Sequence, residues 1–145
     1  MKVKRVGNAY YLPRLLLVTE GLNLSDELSK LPPNIQERLL RLQQLQQTLQ
    51  SILTQKQQVE MEKSEVDQTL AEMAKTADDA VIYKTVGSLL VKSDKAKVSV
   101  DLNERKDLLV TRSTVIAKQE ERVRNQVKET QTKLQEDINP IVGQQ

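Results

Sequence analysis

The sequence predicts a mainly α fold: a long antiparallel two-helix coiled coil joined by one β-hairpin. Three observations carry that reading. A heptad series from Ile35 to Met73 places apolar residues on one narrow stripe of a helix. A β-branched segment, Val81–Lys92, comes next, with Gly87-Ser88 at its centre. A second, weaker stripe then runs from Leu102 to Ile138. Composition agrees. Aromatic content is 2% and Gly and Pro number four each in 145 residues, whereas a globular α/β enzyme uses more of these for packing and turns.

Residues 1–30 differ from the rest. Lys2, Lys4, Arg5 and Arg14 are basic, Leu15–Val18 is a short apolar patch, and no acid appears before Glu20. The patch is too short for a secretory core and no small-residue cleavage site succeeds it. An organellar presequence is the competing reading. The preferred one is a poorly ordered N-terminal extension, with a short helix conceivable around Ser25–Ser29.

The main domain spans 31–139. Leu31-Pro32-Pro33-Asn34 marks its start, since two prolines forbid helix before them and Asn34 can cap a helix beginning there, with Glu37 in a capping-box-like position. Helix one is expected from about Asn34 to Ala77, roughly 65 Å at 1.5 Å per residue. Its seam reads Leu45, Ile52, Val59, Val66 and Met73, and the companion series is Ile35, Leu42, Leu49, Lys56, Lys63 and Leu70. Glutamines fill the positions off the seam, where good helix formers with neutral heads are expected. Lys56 and Lys63 interrupt the seam. A lysine there lowers stability but can fix register, and its stem can snorkel to water; a loosened seam and a specific contact both remain open.

In Val81–Lys92, Gly then Ser suits a type II′ turn. With Val86 facing Leu89, one face carries Ile82, Val86, Leu89 and Val91, and the other Val81, Tyr83 and Leu90. Both faces are partly apolar, and a lone two-stranded hairpin is marginal in water. The segment therefore predicts pairing with other chains. Ser93 or Asp94 can cap helix two, although Val98–Leu102 alternates well enough to prolong the strand instead. The stripe from Leu102 continues through Leu109, Ile116 and Val123, flanked by Leu108 and Val115, then shifts to Val127, Leu134 and Ile138. Its partner series, Arg105, Arg112, Gln119 and Gln126, is polar. Pro140 is expected to end the helix, leaving a tail of 140–145.

Chemistry is narrowly bounded. Cys and His are both absent, which removes thiol nucleophiles, disulfides, zinc-finger spacing and imidazole acid–base work. Four scattered glycines make neither a P-loop nor a dinucleotide fingerprint. No convergent acid, base and nucleophile set is visible, so no enzyme is expected. The net charge of +2 does not predict a polyanion partner, and no apolar run approaches a bilayer span.

Several segments together carry a family resemblance. L-P-P-N-I-Q opens the first helix, L-Q-Q-L-Q-Q-T-L-Q and I-L-T-Q-K-Q-Q-V-E lie along it, V-I-Y-K-T-V-G-S-L-L-V-K forms the hairpin, and K-Q-E-E-R-V lies in the second helix. From about Leu31 to Ile138 the chain resembles the β-type subunit of prefoldin, the archaeal and eukaryotic GimC-like co-chaperone. The hairpin between two rods of this length is the specific element; the glutamine-leucine stretches alone are weak. The resemblance implies a hexamer of two α-type and four β-type chains, whose hairpins join into a β-barrel platform bearing six coiled coils. It implies a cytoplasmic, ATP-independent holdase that binds unfolded proteins at the coiled-coil tips and delivers them to a group II chaperonin. No cofactor, metal, nucleic acid or membrane partner is implied.

The expected oligomer-interface residues are Ile82, Tyr83, Val86, Leu89, Leu90 and Val91. Those expected to be partly unpaired near the tip, and so to bind clients, are Ile35, Leu39, Leu42, Val127, Leu134 and Ile138; ordinary seam packing is the competing reading for each. One departure matters. β-type chains usually begin close to the proline pair, whereas thirty residues precede it here, and Leu15, Leu16 and Leu17 would add to the client surface or occlude it. Two other functions compete. One is a structural coiled-coil adaptor recruiting a specific partner helix. The other is a nucleic-acid binder using Lys2, Lys4, Arg5, Arg14, Tyr10 and Tyr11, where aromatic and basic residues together would stack on bases and neutralise phosphate.

Overall fold

The computed structural model describes residues 29–143. The extension expected over residues 1–30 therefore lies almost wholly outside the described residues, as do its apolar patch, its basic and tyrosine cluster and the short helix around Ser25. Within the described residues the order is α1 (Pro33–Lys75), β1 (Ile82–Val86), β2 (Leu89–Ser93) and α2 (Lys95–Val142). Two long helices flank one antiparallel hairpin, as the heptads and the Gly-Ser turn predict.

The start of α1 differs from the sequence reading. Pro33 is the first helical residue, and the Pro32 carbonyl accepts from Ile35 N (3.0 Å) and Gln36 N (3.1 Å). Proline suits this position because the amide hydrogen it lacks would have had no helical acceptor, and its fixed φ is already helical. Asn34 is thus inside the helix rather than its cap, and the predicted Glu37 capping box is replaced by Gln36, whose side-chain amide donates to the Leu31 carbonyl at 2.8 Å. From Asn34 onward α1 contains neither Gly nor Pro, and Leu, Gln, Glu and Lys dominate it, all strong helix formers. It stops at Lys75, two residues earlier than expected, where Thr76 N bonds the Met73 carbonyl in a tightened last turn.

Asp94 settles the start of α2. Its Oδ1 accepts from Lys97 N at 2.9 Å and its carbonyl from Val98 N at 3.1 Å, so Val98–Leu102 is helix and not strand. At the other end the helix does not stop at Pro140 but runs to Val142. Near a C-terminus a proline forfeits one bond, to the carbonyl four residues back, while its φ stays helical. Gly143 N then donates to the Asn139 carbonyl at 3.0 Å and closes the turn past it.

The described residues fall into two compact units. In the unit Gln44–Glu129, the buried core is Leu45, Ile52, Val59 and Val66 of α1 with Leu109, Ile116 and Val123 of α2, and Leu49, Leu70, Leu102 and Val127 pack against it. Burying each such side chain contributes about 1.5–3 kcal/mol. The seven-residue spacing of both lists is the predicted seam.

The polar side of that core explains the two lysines. Lys56 Nζ lies 2.7 Å from Glu120 Oε2, and Ser113 donates to Glu60 Oε1 at 3.0 Å, an atom that Lys63 also approaches at 3.3 Å. Lys106 pairs with Asp67 at 2.7 Å and Arg105 with Glu62 at 3.4 Å. The companion series on α2 is therefore Lys106, Ser113, Glu120 and Val127, half-buried throughout, in place of Arg105, Arg112, Gln119 and Gln126. Lys56 sits in the seam because a carboxylate faces it. The other unit gathers the ends of the two helices, Pro33–Gln43 and Thr130–Val142. There Ile35, Leu42 and Leu134 are buried, and Arg38 Nε meets Asp137 Oδ2 at 2.6 Å.

Candidate functional site

The hairpin is the most exposed apolar element described. Its register pairs Val86 with Leu89, Thr85 with Leu90, Lys84 with Val91, Tyr83 with Lys92 and Ile82 with Ser93. Side chains alternate across the sheet, so Ile82, Val86, Leu89 and Val91 share one face, and Tyr83 and Leu90 the other. This is the predicted distribution. Gly87 alone among the described residues has a positive φ, at 60°, and Ser88 is negative, the signs that a type II′ turn requires and a type I′ turn does not.

Tyr83, Val86, Leu89, Leu90 and Val91 are all exposed, Leu89 at 67% and Leu90 at 72%, and Ile82 is half-buried. Among the described residues the sheet has only these two strands, so each keeps one unpaired edge. Both faces and both edges are open together. That combination is an invitation to another chain.

Local charges hold the hairpin in place. Lys84 pairs with Asp101 on α2 at 2.8 Å. Lys95 donates to the Thr76 carbonyl at 2.7 Å and to Asp78 Oδ1 at 2.9 Å, putting a cation beside the last carbonyls of α1, where the helix dipole favours it. The Lys95 hydrogen bond, then its charge, holds the Asp78 carboxyl below its ordinary value. Asp94 is lowered by its bond from Lys97 N. Glu60 is lowered first by the Ser113 hydroxyl and then by Lys63, and Glu120 first by Lys56 and then by Arg124.

The residues expected at the tip are placed less uniformly. Leu39 and Ile138 are half-buried, and Ile35, Leu42 and Leu134 are at most 1% exposed. The expectation that these last three are partly unpaired does not hold, because the heptad stripe that suggested them is itself what is buried. Val127 packs with the core of the Gln44–Glu129 unit and so is not gathered with the others. Among the described side chains, the open apolar ones at the helix ends are Leu40 and Ile141, at 54% and 46%. Neither was singled out from the sequence, and the available signal was their position off the heptad. Among the described residues no three acidic side chains gather to hold a metal ion, and no helix is long and apolar enough to cross a membrane.

Comparison with known proteins decides the family. The family model described as Prefoldin subunit matches residues 36–140. The chain belongs to the prefoldin family. It is 43% identical over 112 residues to the prefoldin subunit beta of Methanothrix thermoacetophila, covering 77% of this chain and 93% of the relative. It is 40% identical over 116 residues to that of Archaeoglobus fulgidus, covering 80% of this chain and 100% of the relative. The crystal structure of the prefoldin beta subunit from Thermococcus strain KS-1 superposes with a TM-score of 0.68 at 38% identity, covering 73% of this chain and 93% of that one. The prefoldin match thus includes both helices and the exposed hairpin, and identifies a chaperone subunit of the β type.

Proposed function

We propose that this prefoldin subunit assembles through its hairpin with α-type subunits and further copies of itself, two α-type with four β-type. In that assembly it acts as an ATP-independent holdase for unfolded proteins. The observation that carries the reading is the hairpin, apolar on two faces and unpaired on two edges. A monomer gains nothing from it, whereas neighbouring hairpins would satisfy its backbone and bury its side chains together. Client capture is assigned to the helix ends, with Leu40, Leu39, Ile138 and Ile141 as the accessible surface. Ile35, Leu42 and Leu134 support it from beneath and reach a client only if the helix ends part. Several weak apolar contacts acting together would hold a client without a deep pocket. Delivery to a group II chaperonin and a cytoplasmic site of action complete the proposal, and the residues before Pro32 are assigned to an extension beside the client surface.

The test mixes the full chain with an α-type prefoldin subunit and measures mass by sedimentation, then light scattering from a diluted, chemically denatured client. A six-chain complex that suppresses aggregation without nucleotide is expected. Assembly that survives deletion of Val81–Lys92, or suppression that needs ATP, overturns the proposal.

A further inference from the structure

We propose that one outer flank of α2 beside the hairpin is a second assembly surface, covered by a second copy of this chain. This rests on the hairpin-driven assembly proposed above. Asp101, Leu108, Val115 and Arg122 follow one another in seven-residue steps, each one position before a member of the seam row Leu102, Leu109, Ile116 and Val123. One position is about 100° round the helix, so the row stands on the flank of the seam. Leu108 is 72% exposed and Val115 49%. Among the described residues the whole of α1 exposes only Leu40 and Met61 of its large apolar side chains, whereas α2 exposes Val100, Leu108, Val110 and Val115 in its first half.

The hairpin runs into this flank. Lys84 lies opposite Val91 in the register and shares its face with Val86 and Leu89. Its Nζ meets Asp101 Oδ2 at 2.8 Å, so that apolar face adjoins the first member of the α2 row. From Asp101 to Val115 the helix rises about 21 Å, and the row prolongs the hairpin's surface by that length. The hairpin alone is small. Its two five-residue strands present a face of about 17 by 10 Å. Both faces together fall well short of the roughly 800 Å² that each partner of a stable interface buries.

The height of the row identifies its occupant. Hairpins joined side by side send their helices off from the same level, so neighbouring copies bring each residue of the row against itself. Leu108 then meets Leu108 and Val115 meets Val115, the isologous pattern of a twofold contact. The charges fit the same pairing. Asp101 carries Lys84 with it, so two copies meet there as neutralised pairs and not as bare carboxylates. Arg122, the next step after Val115, is exposed, and against its own copy it repels. The contact therefore ends after Val115, and the helices of the two copies are free to part beyond it.

The chain contains no cysteine, so a single introduced thiol reports its own neighbour. Leu108→Cys is treated with a short bismaleimide in the full complex, assembled with a cysteine-free α-type subunit. Val110→Cys is the control, also exposed but two positions on and so about 200° round the helix. A covalent pair of two copies is expected at Leu108, well above Val110. The combined Leu108→Gln and Val115→Gln variant should leave the melting of the isolated chain unchanged yet raise the dissociation constant of the complex about tenfold or more. No Leu108 pair in an assembled complex, equal pairing at the two positions, or wild-type dissociation of the double variant overturns the proposal and leaves the hairpin assembly standing. A photo-reactive phenylalanine analogue at Leu108 that links to the α-type subunit instead also overturns it. Failure of the wild-type chains to assemble removes both.

Discussion

Replacing Leu89 and Leu90 by threonine separates what the hairpin does for the chain from what it does for the assembly. Threonine is β-branched, a shape that strands favour, so the turn and register should survive. The two leucines occupy opposite faces and are 67% and 72% exposed, so the isolated chain has little to lose by their removal. Full burial of a leucine contributes about 1.5–3 kcal/mol, which leaves about 1–2 kcal/mol per side chain for a partner to recover. Threonine retains some of that, so the pair should lose about 2–3 kcal/mol per chain, or roughly 30- to 150-fold in the dissociation constant of each contact. Sedimentation of the double variant mixed with an α-type subunit reads the loss directly, and circular dichroism reads the melting of the chain alone. An intact complex at the wild-type midpoint concentration would refute the assignment. So would a fall of more than a few degrees in the isolated chain's melting temperature, because it would mean that the hairpin is part of the chain's own core.

Three further outcomes are expected from the same packing. Ile116→Ala removes a side chain only 3% exposed and should cost about 2–5 kcal/mol, lowering the thermal midpoint by roughly 10 °C, whereas Leu108→Ala at 72% exposure should stay within about 0.5 kcal/mol. Glu120 titrates below its ordinary 4.5 because Lys56 and Arg124 bond its charged form, so its stabilisation is complete above 4.5 and is lost as pH falls through the lowered folded value. The melting difference between wild type and Glu120→Gln should accordingly be present at neutral pH and shrink below 4.5; a difference that grows in acid would reverse the sign. Gly87→Ala meets no atom within 4 Å but forces a side chain to φ of 60°, so it should cost about 1 kcal/mol or more and lower amide-exchange protection across Ile82–Ser93 without shifting the helices.

Much of this was legible because seam, turn and register are written in spacing. Val59 and Ile116 declare themselves by seven-residue steps, and Gly87-Ser88 fixes which residues face which. What spacing could not reveal was the polar half of the seam. Lys106, Ser113 and Glu120 have no hydropathy signal, and Arg105, Arg112 and Gln119, one position earlier, look just as plausible. Only contacts between residues far apart in sequence, Lys56–Glu120, Ser113–Glu60 and Lys106–Asp67, identify them. Helix starts failed similarly. Asn34 has the chemistry of a cap, but Pro33 claimed the first helical position ahead of it. At the helix ends, a stripe predicts which side chains seek cover, and Ile35, Leu42 and Leu134 find it; the exposed Leu40 lies off the stripe and so gives no such signal.

The contacts joining the chain before Gly87 to the chain after it are ordered by the length of chain they close. Lys84 reaches Asp101 across 17 residues and Lys95 reaches Thr76 across 19. Arg105–Glu62 spans 43, Ser113–Glu60 spans 53 and Lys56–Glu120 spans 64, with Arg38–Asp137 the longest of these. Loop-closure entropy rises with that length, but only slowly once the preceding contact has brought the two sides of the loop together. On that ordering the chain should fold like a zip whose slider starts at Gly87. The teeth around Arg38 and Asp137 close the longest of these loops and set last, so local opening should be cheapest there. Fraying would then begin among the residues proposed to meet an unfolded client, while the turn that nucleates the chain stays closed.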